Sequence, residues 1–244
     1  MANPSANPRR TAVSLRLPNL FLGMSIGFLI ALGIALLLTD KMQTHLWLNA
    51  HHTPVADRLL LAYTHVGEWV PYVIALLLLF YKAGWSAFLT ADLALSGLLA
   101  QALKYLFATD RPVRFFALHM PEVQLPAVEG LRLSEFYSFP SGHSVSFFVL
   151  FLTLSWIFTH DRLRGRGILQ VLFFCMALTG CYSRIYLSMH FAEDIWGGAL
   201  FGLLFSLMFA LCVPKIEESA FWNWNLLALR GRRQDQNHEG LAAR

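Results

Sequence analysis

The chain has 244 residues, of which 56% are hydrophobic and only 14% charged. Soluble domains carry about 25% charged residues, so the composition argues for a membrane protein. The net charge of +4 is not gathered into a soluble basic domain, as a nucleic-acid reader would require, and no nucleic acid is expected as a partner.

Charged residues are absent from Leu17 to Thr39, from Trp69 to Tyr81 and from Ile195 to Val213. An apolar run of about 20 residues crosses a bilayer core of about 30 Å as a helix. Six spans are predicted, forming one all-α polytopic bundle: about Leu20–Leu38, Leu60–Tyr81, Trp85–Phe107, His143–Thr159, Ile168–Leu187 and Phe191–Val213. The second span carries Glu68 and the third Asp92, and Gly84 between them suits a tight helical hairpin. The first run follows Arg9, Arg10 and Arg16, like a signal peptide. It is too long for a signal core and lacks a small-x-small cleavage site, so it reads as a retained anchor. Cys175, Cys181 and Cys212 all fall in spans, an arrangement that argues against a disulfide framework or a metal cluster. Asp92 is expected to make an inward structural hydrogen bond.

Between the third and fourth spans, Ala108–Pro140 holds Pro112, Pro121, Pro126 and Gly130. It is expected to be irregular with at most a short helix. After the sixth span, Phe221, Trp222, Trp224, Leu226 and Leu227 are expected along the cytoplasmic membrane interface, and the tail from Arg230 to be disordered. The expected organisation is a cytoplasmic segment 1–18, a six-span domain 19–214 and an interfacial segment with tail 215–244.

Basic residues set the orientation. With a cytoplasmic N-terminus, twelve of the 19 Lys and Arg lie inside: Arg9, Arg10, Arg16, Lys82, Arg162, Arg164, Arg166, Lys215, Arg230, Arg232, Arg233 and Arg244. The other seven, Lys41, Arg58, Lys104, Arg111, Arg114, Arg132 and Arg184, lie outside. Both termini are therefore expected in the cytoplasm.

Three polar clusters then fall on the same outer face: Lys104-x6-Arg111-Pro112, Pro140-Ser141-Gly142-His143 and Ser183-Arg184-x5-His190-x3-Asp194. Polar groups near hydrocarbon are costly and point to function. Lys104, Arg111 and Arg184 would repel one another unless an anion sat among them, and phosphoryl transfer needs such a clamp. Ser141 and Gly142 open a helix whose free N–H groups suit an anion. His190 and Asp194, four apart, share a helix face. A carboxylate on one ring nitrogen fixes the tautomer and frees the other to attack.

These clusters resemble the type 2 phosphatidic-acid-phosphatase (PAP2) superfamily of integral membrane lipid phosphatases. All eleven fixed residues of its K-x6-RP, PSGH and SR-x5-H-x3-D pattern are present in order. A lone PSGH would be weak; the ordered set is specific. The resemblance implies a six-helix phosphatase with no metal and no cofactor, working through a phosphohistidine. His190 would be the nucleophile, Asp194 its orienting partner and His143 the acid for the leaving oxygen. Lys104, Arg111, Ser141, Gly142 and Arg184 would hold the phosphate, with the role of Ser183 left open. The implied partner is a phosphorylated membrane lipid: undecaprenyl diphosphate, phosphatidylglycerol phosphate, phosphatidic acid or lipid A. The implied location is the bacterial inner membrane with the site facing the periplasm or exterior. A phosphotransferase on the same site is the alternative, and a transporter a more distant one, since the charges cluster at one face with no inverted repeat. A vanadate haloperoxidase shares the anion-site motifs but is in general soluble. Oligomeric state stays open.

Overall fold

The structure, a computed structural model, describes residues 16–213, 217 and 219–227. The described residues form an all-α bundle of ten α-helices, numbered here in chain order. Five of them are long and apolar enough to cross a membrane, and a bent pair makes a sixth span.

Helix α1 (Asn19–Leu38) has a mean hydropathy of 2.5 with only 11% of that window buried, so it lies on the lipid-facing outside of the bundle. It has no side-chain cap of its own. Instead, Gln170 Oε1 accepts from the Leu20 and Phe21 amides at 3.1 and 3.0 Å, so a residue of another span satisfies its open start. Asp40 stops the run and caps α2 (Lys41–Leu48), accepting from the Met42 and Gln43 amides at 3.0 Å.

The second span, expected over about Leu60–Tyr81, is bent. It begins earlier, as α3 (Pro54–Thr64), passes through a 3₁₀ turn at His65–Gly67, and resumes as α4 (Val70–Leu77) with a second 3₁₀ turn at Leu78–Phe80. The two halves meet at 48°. Pro71, in the first turn of α4, has no N–H to continue the ladder, so the helix restarts there. Hydropathy reads only apolar length and cannot register this break.

Helix α5 (Ala83–Phe107) ends on Ala108 in the left-handed region. The loop to the fourth span holds one short helix, α6 (Pro112–His119), and then doubles back along its own start. The Arg111 amide donates to Glu135 O at 2.8 Å and the Ser138 amide to Thr109 O at 3.0 Å.

Helix α7 (Gly142–His160) is the centre of the bundle, packed against α5, α8 (Arg166–Tyr186) and α9 (Ala192–Ala210). Its own Phe147, Phe148 and Leu150 are buried, with Leu89, Ala177 and Ala199 of its neighbours. Helix α9 comes close to the backbone of α7 at Gly198, where a Cβ would stand 2.5 Å from Ser141 O and 2.7 Å from Ser144 Cβ. Only glycine admits α9 so close to the start of α7. Asp92 is fully buried, as expected, accepting from Ser96 Oγ at 2.9 Å and Ser206 Oγ at 2.5 Å. All three cysteines are free.

Of the segment expected at the interface, Trp222 in α10 (Ala220–Asn223) is instead buried beneath the bundle, its ring 5.1 Å from that of Trp85. The backbone holds it there: the Ala83 amide donates to Trp224 O at 2.7 Å and the Leu226 amide to Leu79 O at 2.9 Å. Phe221 and Leu227 remain exposed. The tail from Arg230 lies outside the described residues.

Candidate active site

The ends of α5, α7, α8 and α9 meet at one end of the bundle, and the three motifs meet with them. Lys104 is in the last turn of α5, and Arg111 is the N-cap residue of α6. Arg111 is tied by Nε to Phe136 O at 2.9 Å and by Nη1 to Met189 O at 3.3 Å. Its guanidinium thus joins the long loop to the turn that carries His190. Ser141 caps α7, and its amide donates to Asp194 O at 2.9 Å, joining the second motif to the third. Lys104 reaches the same point: a Cβ on Gly142 would be 4.0 Å from Lys104 Nζ.

Helix α8 ends at Tyr186, and the chain turns sharply through Ser188, whose φ is 50°. The turn is pinned by the Met189 and His190 amides donating to Arg184 O at 2.9 and 3.2 Å. Arg184 is buried and donates from Nη1 to Thr64 Oγ1, while its Nε is buried with no hydrogen-bond partner among the described residues. Lys104, Arg111 and Arg184 lie within Coulombic reach of one another and of His190. Ser183, the motif residue with no expected role, donates to Gly180 O of its own helix at 2.6 Å.

His190 and Asp194 are each 1% exposed. The His190 Nδ1 to Asp194 Oδ2 separation is 3.4 Å, longer than a usual N–H···O bond. Ser138 closes the gap: its Oγ lies 3.3 Å from His190 Nδ1 and donates to Asp194 Oδ2 at 2.5 Å. The Phe191 amide donates to the same oxygen at 2.8 Å. With Nδ1 engaged, Nε2 is the nitrogen left to react. Burial, with Arg111, Arg184 and Lys104 around the ring, pushes the His190 pKa well below 6.5, so the imidazole is neutral at physiological pH.

His143, in the first turn of α7, has Arg184 and His190 within Coulombic reach. Its Nε2 lies 3.0 Å from Glu68 Oε1, which leaves Nδ1 without a described partner. Above Lys104 and Arg111 opens a cleft of about 510 Å³, bordered by Gln101, Ser134, Glu135, Phe136 and Tyr137. All the phosphate-binding and catalytic residues expected from the motifs are thus in one place. Ser138 and Thr64 were not expected. Ser138 lies only two residues before the second motif, but nothing in its spacing marks it. Thr64 sits at the bend of the second span, where hydropathy is silent.

The chain is similar to known proteins in sequence and in fold. The family model described as PAP2 superfamily matches residues 85–218. The lipid A 4'-phosphatase of Porphyromonas gingivalis is 32% identical over 69% of this chain and 70% of its own length. That of Bacteroides thetaiotaomicron is 29% identical over 71% of this chain and 77% of its own. The crystal structure of Aquifex aeolicus LpxE superposes with a TM-score of 0.57 at 23% identity, covering 69% of this chain and 93% of that one. The transmembrane PAP2-type phosphatidylglycerolphosphate phosphatase of Bacillus subtilis gives 0.59 at 20% identity, covering 82% and 98%. At those identities the two structures bear on the fold alone.

Proposed function

This chain belongs to the PAP2 superfamily, and on that premise we propose that it is a membrane lipid phosphatase releasing phosphate through a phosphohistidine at His190. The observation that carries the reading is the meeting of three buried or half-buried cations with two histidines of unlike surroundings. The substrate phosphate would sit among Lys104, Arg111 and Arg184, with Arg184 Nε supplying a further donor and Ser141 and Gly142 the helix start. His190 Nε2 attacks phosphorus, and the P–O bond to the lipid breaks. His143 gives its Nδ1 proton to the leaving oxygen. Water then attacks the phosphohistidine and returns a proton to His143, so the cycle closes with lipid alcohol and inorganic phosphate. The clamp supplies charge neutralisation directly. Among the described residues, no three His, Cys, Asp or Glu side chains gather as metal ligands.

The name shared by the Porphyromonas and Bacteroides relatives favours a phosphate of lipid A among the candidate lipids. The basic-residue asymmetry supports a site on the periplasmic or outer face. Purified protein in detergent, presented with lipid A, phosphatidylglycerol phosphate, phosphatidic acid and undecaprenyl diphosphate, is expected to release phosphate from lipid A fastest, with and without EDTA. Release from none of the four, or release that requires an added divalent ion, contradicts the proposal. A phosphotransferase would instead need an acceptor lipid for turnover.

A further inference from the structure

The bend in the second span does more than interrupt a helix. It carries Glu68 into contact with His143, and Glu68 is itself held by a second histidine. Glu68 Oε1 lies 3.0 Å from His143 Nε2, and Glu68 Oε2 lies 2.8 Å from His65 Nδ1. Side-chain exposure falls along this series, from 58% at His65 to 38% at Glu68 and 19% at His143. The contact is built into the backbone. A Cβ on Gly67 would stand 2.8 Å from Phe147 Cε2 and 3.3 Å from His143 Cδ2, so the turn rests directly on the first turns of α7.

We propose that Glu68, anchored by His65, is a positioning residue for the general acid, holding His143 by Nε2 so that its Nδ1 proton points to the leaving oxygen. The inference rests on the phosphatase reading above and deepens it. A carboxylate at hydrogen-bond distance fixes the tautomer of a histidine and favours its protonated form. His143 needs that help, because it is asked to carry a proton beside cations. The groups facing it are Glu68 from the bend, Arg184 from α8 and His190 from the turn before α9. Lys104 of α5 reaches neighbouring Gly142, and His65 and Arg184 face Glu68. Glu68 is the acidic member of that set. The two histidines therefore each have their own carboxylate, Asp194 beside the nucleophile and Glu68 beside the acid.

The sign of the effect is definite. Without the carboxylate, the protonated form of His143 is less favoured, so it loses its proton at lower pH. The test compares kcat/KM against pH for wild type, Glu68→Gln, Glu68→Asp and His65→Ala, with a lipid phosphate and with an activated aryl phosphate. Glu68→Gln should move the alkaline limb toward acid by about one pH unit. Its loss on the lipid should exceed its loss on the aryl phosphate by about tenfold or more, since proton donation by a positioned acid contributes about 10²–10⁴-fold. Glu68→Asp should restore part of both. His65→Ala, at an exposed side chain, should shift the limb the same way by less, and it tests the same chain should Glu68→Gln misfold. An unmoved limb in Glu68→Gln and His65→Ala, or equal losses on both substrates, overturns the proposal and leaves Glu68 a packing residue. Phosphoenzyme formation by His190→Ala, run alongside, would instead sink the underlying reading, so the two failures are distinct.

Discussion

At the scale of single residues, the proposed chemistry asks different things of two imidazoles, attack from His190 and proton donation from His143. His190 is buried among three cations, and each of them opposes protonation of the ring. A neutral nucleophile survives as pH falls until the lowered pKa is reached. The acid limb of kcat/KM, which reports the free enzyme, is therefore expected well below pH 6.5. Arg111→Ala removes one opposing charge and should raise that limb toward neutrality while also weakening substrate binding. A wild-type limb at or above pH 6.5, unmoved in Arg111→Ala, would contradict this reading of the ring's surroundings. The motif residues were legible in the sequence because charge near hydrocarbon is costly and eleven fixed positions leave little room for chance. Ser138 was not, because a serine in an irregular loop carries no periodicity or charge to mark it. Its value comes only from the fold, which sets its hydroxyl between His190 and Asp194.

At the scale of elements, the site is assembled by helix ends, and their mutual approach is limited by small residues. Gly198 lets α9 meet the start of α7, where the backbone of Ser141 is joined to that of Asp194. Gly198→Ala places a methyl group 2.5 Å from a carbonyl oxygen that cannot swing away. Overpacking of this kind costs about 1–3 kcal/mol, so the variant should unfold at lower temperature in detergent and lose activity with it. Gly97→Ala in α5 is the matched comparison, since its Cβ meets nothing within 4 Å, and its unfolding temperature should be unchanged or raised. Equal behaviour of the two variants would mean that the α7–α9 contact does not limit the fold. Five spans were legible within a few residues from apolar length. The second was legible as apolar length, but its earlier start and its bend were not, since a proline and a 3₁₀ turn redirect the chain without changing its hydropathy. Trp222 was misplaced for a similar reason: an aromatic residue near a span end suits the interface equally well, and only the partner Trp85 decides for burial.

At the scale of the whole molecule, the antiparallel order of the spans brings segments some 80 residues apart to one end of the bundle, where the three motifs meet. The basic-residue asymmetry favours the outer face for it, as proposed above. Single cysteines introduced at exposed loop positions such as Glu122 and Arg132, in a background without the three native ones, should react with an impermeant maleimide in intact cells. Reaction only after permeabilisation would reverse the orientation and the substrate pool with it. The central claim is that the phosphoryl group passes through His190, and it is tested most directly by trapping it. Brief incubation with a ³²P-labelled lipid phosphate, followed by denaturation, should leave an acid-labile, alkali-stable label on wild type, mapping to the peptide that contains His190. With an aryl phosphate, His143→Ala should still acquire the label, because the leaving oxygen then needs no proton, and His190→Ala should acquire none with either substrate. Label on folded His190→Ala, or on a different residue of the wild type, would contradict the account.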